Sequence, residues 1–193
     1  YKRQTFNDTF FKFYTDPTRY ERTGQNNARA LLYDNKNRLW IACKDKTIAI
    51  YDNSHNFLGY LHFDGSVSMQ PDTSLGMAYA ITQDKSGTIW IGTKGNGLIE
   101  VQPGHSSLHF LLKQYKYSVE DIYSLSHNDI YAVCEDAVGR IWIATFGGGV
   151  NYMEQIEGKT RFINYRNKLK KFPIPLCYRT RDLVSDGNGR IWI

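Results

Sequence analysis

The chain of 193 residues is short of several things that would otherwise direct its reading. Its three cysteines, Cys43, Cys134 and Cys177, are too few and too scattered for a disulfide framework. No pair of them has metal-ligand spacing, so no metal site is expected and they read as small apolar residues. Apolar runs last only a few residues, far below the roughly 18 that a membrane-crossing helix needs, so no membrane contact by these residues is expected. The opening stretch YKRQTFNDTF has no apolar core and no small-residue cleavage site, so it does not read as an export signal. Charge is also sparse, at 22% of residues with a formal net charge of +5, while 15% are aromatic. Disordered chains show the opposite balance, and a folded chain is expected.

What the chain does have is a repeat. Its four tryptophans, Trp40, Trp90, Trp142 and Trp192, lie 50, 52 and 50 residues apart. Each closes a similar string: DNKNRLWIA from Asp34, DKSGTIWIG from Asp84, DAVGRIWIA from Asp136 and DGNGRIWI from Asp186. Asp at the first position of a type I turn accepts from the backbone two residues on, and glycine at the fourth adopts the left-handed conformation that closes a bulged hairpin. Gly87, Gly139 and Gly189 fill that place, and Asn37 substitutes in the first string. A short strand precedes each turn (ARALLY, AYAITQ, IYAVCE, TRDLVS), and a second begins with the Leu/Ile-Trp-Ile triplet. Glycine loops TKGNGL and TFGGGV return the chain into a third strand, and aromatic-rich stretches supply a fourth.

Four antiparallel strands per unit of about 50 residues predict an all-β fold, a β-propeller. The chain is read as an incomplete one, with about three full four-stranded blades plus partial blades at both ends. The units are 1–16 (end of a preceding blade), 28–64, 78–116, 130–166 and 180–193 (start of the next). Seven such blades need roughly 350 residues, so a fragment of a longer protein is expected. The tryptophans are read as packing between blades, where truncating Trp90 or Trp142 would cost about 3–5 kcal/mol.

From Ser124 to Met153 the sequence SLSHNDIYAVCEDAVGRIWIATFGGGVNYM resembles the two-component regulator propeller repeat. That repeat runs Ser-Leu-Ser-x-Asn-Asp, an Asp-x-x-Gly turn, Leu/Ile-Trp-Ile-Gly-Thr, then a Gly-x-Gly loop. The repeats from Ala78 and from Thr180 fit less fully, and the first is degenerate, with Cys43-Lys44-Asp45-Lys46 where the Thr-x-Gly loop should be. Similar propellers form the periplasmic sensor regions of hybrid two-component histidine kinases. The resemblance implies extracytoplasmic sensing of oligosaccharides, with the membrane helix and the signalling domains elsewhere in the same chain. It implies no cofactor and no catalysis in this segment.

A candidate ligand site follows from aligning the repeats. Eleven residues before each Trp stand Arg29, Tyr79, Tyr131 and Arg181; the next position is Ala30, Ala80, Ala132 and then Asp182. Lys94 and Phe146 in the glycine loops join the set. Tyrosines stacking on sugar faces, with Arg and Asp bonding hydroxyls or a uronate, would make a glycan site; the plainer reading has these residues cap strands and pair with neighbours. From Gly158 to Arg181 there are eight basic residues and no acidic one: Lys159, Arg161, Arg166, Lys168, Lys170, Lys171, Arg179 and Arg181. Such a block fits an acidic glycan or a solvated loop. It lacks a recognition helix or RNA-binding aromatic motif, so no nucleic acid is expected. The five histidines fall at unrelated positions in the repeat, which argues against an enzyme. The alternative function is a protein-docking or dimerisation scaffold, with a homodimer as one such assembly, since propeller faces are common platforms.

Overall fold

Each Asp-to-Trp string folds as a hairpin, and one carboxylate organises it. Asn37, Gly87 and Gly139 donate their backbone N–H to the carbonyls of Asp34, Asp84 and Asp136 at 2.9, 3.0 and 3.1 Å. All four fourth-position residues are left-handed, with φ of 58° at Asn37, 92° at Gly87, 84° at Gly139 and 87° at Gly189. Oδ1 of Asp34 accepts from the backbone N–H groups of Lys36 and Arg38, and Oδ1 of Asp136 from those of Val138 and Arg140. The other oxygen reaches across the hairpin to the indole: Trp40, Trp90 and Trp142 donate Nε1–H to Oδ2 of Asp34, Asp84 and Asp136 at 2.9, 2.8 and 2.9 Å. The same side chain that closes the turn therefore fixes the tryptophan six residues on.

The computed structural model describes residues 28–171 and 177–193. Strands β1 (Ala28–Tyr33), β2 (Leu39–Cys43), β3 (Ile48–Tyr51), β4 (Phe57–Leu61) and β5 (Val67–Ser68) form the first sheet. The second holds β6 (Met77–Gln83), β7 (Ile89–Lys94), β8 (Leu98–Pro103) and β9 (Phe110–Tyr115). The third holds β10 (Ile130–Glu135), β11 (Ile141–Thr145), β12 (Gly149–Ile156) and β13 (Lys159–Ile163), and β14 (Val184–Ser185) pairs with β15 (Ile191–Trp192). Every pair is antiparallel between neighbours in sequence. The chain is an all-β propeller, as its repeat predicts. The first sheet departs from the four-strand expectation through β5, a two-residue strand whose neighbour Ser66 bridges to His109 of the second unit. The expected outer strand within 1–16 lies outside the described residues, as does part of the KLKKFPIP stretch.

The first strand of each sheet is innermost: β1 packs on β6, β6 on β10, and β10 on β14. The apolar core lies between sheets. Trp40 is fully buried, edge-on to Phe110 of β9 with ring centroids 5.0 Å apart. Trp90 sits among Leu125, Ile130 and Phe162 of the third unit, and Trp142 packs with Leu183 and Ile191 of the last. Three indoles thus share one setting. Trp192 departs from it: it is 60% exposed and makes no bond to Asp186, because no sheet among the described residues lies beyond β15 to cover it.

The second and third sheets approach closely two residues after Trp90. Ala42 and Ala144 hold this position in the first and third units; in the second, a Cβ added at Gly92 would meet Ile130 Cγ2 at 2.6 Å. Gly92→Val is expected to overpack this seam and cost about 2–3 kcal/mol, read as a lower urea midpoint at unchanged slope.

The turn carboxylates also make stability depend on pH. Burial pushes the Asp136 carboxyl up, but the Trp142 indole, the Arg140 backbone and the Arg140 guanidinium outweigh it and hold the group at about 2, below its ordinary 3.8. Asp34 is lowered in the same way, burial opposing the bonds from Arg38 and Trp40. A carboxyl depressed in the folded state contributes stability that is fully present above its unfolded value and is lost as pH falls towards its folded one. For Asp136, whose Arg140 partner is half exposed, screening reduces this to about 1–2 kcal/mol. Urea midpoints should therefore fall between about pH 5 and pH 2, and Asp136→Asn should shrink that drop.

Candidate functional site

The ladder registers place one irregularity at the same point of three innermost strands. In β1, Ala28 faces Cys43 and Ala30 faces Ala42, which leaves Arg29 as an extra residue. In β6, Ala78 faces Thr93 and Ala80 faces Gly92, leaving Tyr79; in β10, Ile130 faces Thr145 and Ala132 faces Ala144, leaving Tyr131. These are β-bulges, which break the in-out alternation and re-aim the extra side chain. The bulged residues are the ones eleven positions before Trp40, Trp90 and Trp142.

The bulges bring these side chains into one row. The Arg29 guanidinium lies over the Tyr79 ring, 5.0 Å from its centroid. Tyr79 and Tyr131 have centroids 4.5 Å apart at 32°, and Tyr131 stacks on Phe146 at 5.1 Å and 28°. Arg181 closes the row, 5.1 Å from Phe146 and 6.0 Å from Tyr131, with Arg179 5.3 Å from Phe146. Phe146 is held by its backbone N–H to the Asp129 carbonyl at 2.8 Å and by a bridge to Arg179. Burial, and then Tyr79 beside it, pushes the Tyr131 phenol up, so it is protonated at neutral pH.

The sequence brings five of its seven candidates together here: Arg29, Tyr79, Tyr131, Phe146 and Arg181. The role expected of the tyrosines changes. Their ring faces are occupied by one another, by Phe146 and by the arginines, so hydroxyls and ring edges, not ring faces, remain for a ligand. Lys94 holds in the second unit the place of Phe146 in the third, but it is exposed and has no ring contact among the described residues. Asp182 is exposed and its carboxylate accepts from the backbone N–H of Leu183 at 2.9 Å. Arg179, expected only as part of the basic block, is brought to the row by its bridge to Phe146, and its guanidinium lies 5.0 Å from the ring of Tyr178, which the Trp-based alignment does not reach.

The basic block divides. Arg166 donates to the carbonyls of Ser118 and Val119, Arg161 lies over Tyr123, and Lys168 pairs with Glu154 at 2.8 Å. Those three serve the outer part of the third unit, while Arg179 and Arg181 belong to the row. Among the described residues, no group of three or more His, Cys, Asp or Glu side chains is placed to hold a metal ion. A separate cleft of about 350 Å³ between the second and third sheets is lined by Glu100, Lys113, Tyr115, Gln155 and Thr160. Its polar groups satisfy one another: Tyr115 donates to Glu100 at 2.6 Å and Gln155 to Thr160 at 2.9 Å.

The two component regulator propeller model matches residues 74–95 and 124–147. Two of the chain's repeats match the two-component regulator propeller repeat. The matched stretches contain Tyr79 and Lys94 in one and Tyr131 and Phe146 in the other. Among solved structures, the extracellular domain assigned to the hybrid two component system BT3049 of B. thetaiotaomicron aligns with a TM-score of 0.60 at 20% identity, over 82% of this chain and 20% of that one. The extracellular domain assigned to BT4673 of the same organism aligns at 0.57 and 24% identity, over 86% and 21%. PorZ, a surface component of the type-IX secretion system of Porphyromonas gingivalis, aligns at 0.53 and 15% identity, over 80% and 22%. These likenesses are of fold. The chain spans about a fifth of the length of these three structures. No curated protein matches it.

Proposed function

We propose that these regulator propeller repeats belong to the periplasmic sensor region of a hybrid two-component histidine kinase, and that they take an oligosaccharide at the innermost-strand row. The observation that carries the reading is the threefold recurrence of the bulge. The bulge recurs with the repeat, and at Arg29, Tyr79 and Tyr131 it aims side chains of three successive units into one stack. A ligand lying along the row touches four successive units at once, so its binding ties the blades together where their innermost strands meet. Occupancy would then pass through the propeller to membrane and signalling domains of the same chain.

A thermal-shift screen of the full-length sensor region against an oligosaccharide panel tests this. A sugar at a hundredfold its dissociation constant should stabilise the protein by about 2.7 kcal/mol. Tyr79→Ala combined with Tyr131→Ala should abolish that response at a stability cost of about 1–2 kcal/mol, since the rings are half-buried and mainly touch each other. Silence across the panel would instead favour a docking or dimerisation scaffold.

A further inference from the structure

We infer that the ligand taken at the row is anionic: an oligosaccharide bearing carboxylate or sulfate groups, gripped by Arg29 at one end and by Arg179 and Arg181 at the other. This rests on the row being a sugar site.

The arginines of this chain fall into two kinds. Arg38 and Arg140 are ion-paired to the turn carboxylates at 2.6 and 2.8 Å, and Arg166 is spent on backbone carbonyls. The guanidinium groups of Arg29, Arg179 and Arg181 enter no hydrogen bond or ion pair among the described residues; each only stacks on a ring. Stacking fixes a guanidinium plane without using its N–H groups, which point outward in that plane as a fork matched to a carboxylate or sulfate. All three residues are exposed.

The rings between them offer little to a neutral sugar. Tyr79 is covered by Arg29 and Tyr131, and Tyr131 by Tyr79 and Phe146, so neither tyrosine keeps an open face for the apolar side of a pyranose. Donors therefore dominate what the row presents. Two carboxylates lie nearby, Asp182 beside the Leu183 backbone and Asp129 near Tyr131, and the three guanidinium groups outnumber them. Because three rings separate Arg29 from the other two cations, the arrangement fits a ligand with charges spaced along it.

Isothermal titration of the full-length sensor region decides the matter with four probes: tetragalacturonate, its carboxyl-reduced neutral tetramer, a sulfated tetrasaccharide beside its desulfated form, and inorganic sulfate. At least one charged tetramer should bind about tenfold or more tighter than its neutral partner, an advantage that shrinks between about 50 and 300 mM salt. Arg29→Gln together with Arg179→Gln and Arg181→Gln should erase the advantage, whereas Lys85→Gln, exposed in the turn at the opposite end of β6 from Tyr79, should keep it. Equal, salt-independent binding of charged and neutral tetramers would overturn the anionic ligand and leave the sugar site standing. Inorganic sulfate binding as tightly as any tetramer would leave an anion site and remove the sugar. Binding by none of the probes would remove both.

Discussion

Replacing Trp40 with alanine is expected to lower the free energy of unfolding by about 4 kcal/mol. The indole is fully buried, meets Phe110 of the next unit edge-on, and belongs to a core that continues through Leu75, Ile81 and Ile99. Its loss opens a cavity between two sheets that are each tied down by their own hairpins, so neither can move in to fill it. Trp40→Phe keeps most of the packing and should cost about 1–2 kcal/mol, chiefly the hydrogen bond to Asp34. Trp192→Ala, at 60% exposure, should cost less than about 1 kcal/mol. Urea unfolding of the three variants gives this ranking directly, and equal costs for Trp40 and Trp192 would show that the seam between sheets does not hold the propeller together.

Removing the partner carboxylate should cost nearly as much. Asp34 is 4% exposed and accepts from the Lys36 and Arg38 backbones, the Arg38 guanidinium and the Trp40 indole. Asp34→Ala opens the turn and leaves an indole N–H buried without a partner, for about 3 kcal/mol. The double variant Asp34→Ala, Trp40→Phe removes both ends of that bond and should cost about 1–2 kcal/mol less than the sum of the single changes. Strict additivity would mean that the carboxylate acts on the turn alone.

The hairpins were legible because their determinants are local: an Asp, a left-handed Gly or Asn three residues on, and an Ile-Trp-Ile triplet encode turn and strand within nine residues. The indole bond was not, since both partners already had a sufficient local explanation, the Asp as a turn former and the Trp as core. Alignment on tryptophan located Arg29, Tyr79 and Tyr131, yet the bulge that aims them leaves no mark in composition. Which ring faces stay open was equally unreadable, because stacking between units is set by the angle at which one sheet meets the next. Asn151 and Asn164 show the same limit. Both are fully buried, and Asn164 donates to Asn151 at 3.1 Å while Asn151 holds the Ser126 backbone at 2.9 Å. Read singly, each is a polar residue that belongs on a surface; only the neighbour's amide explains its burial.

Where a ligand lands on the propeller is the central claim. Amide hydrogen exchange of the full-length sensor region should be compared with and without an oligosaccharide that stabilises it. Added protection is expected at the strand entries around Arg29, Tyr79 and Tyr131, and across the Phe146 loop and the Tyr178–Asp182 segment, all rising together with ligand concentration. Protection confined to the outer cleft around Glu100, Tyr115 and Thr160, with those entries unchanged, would contradict it.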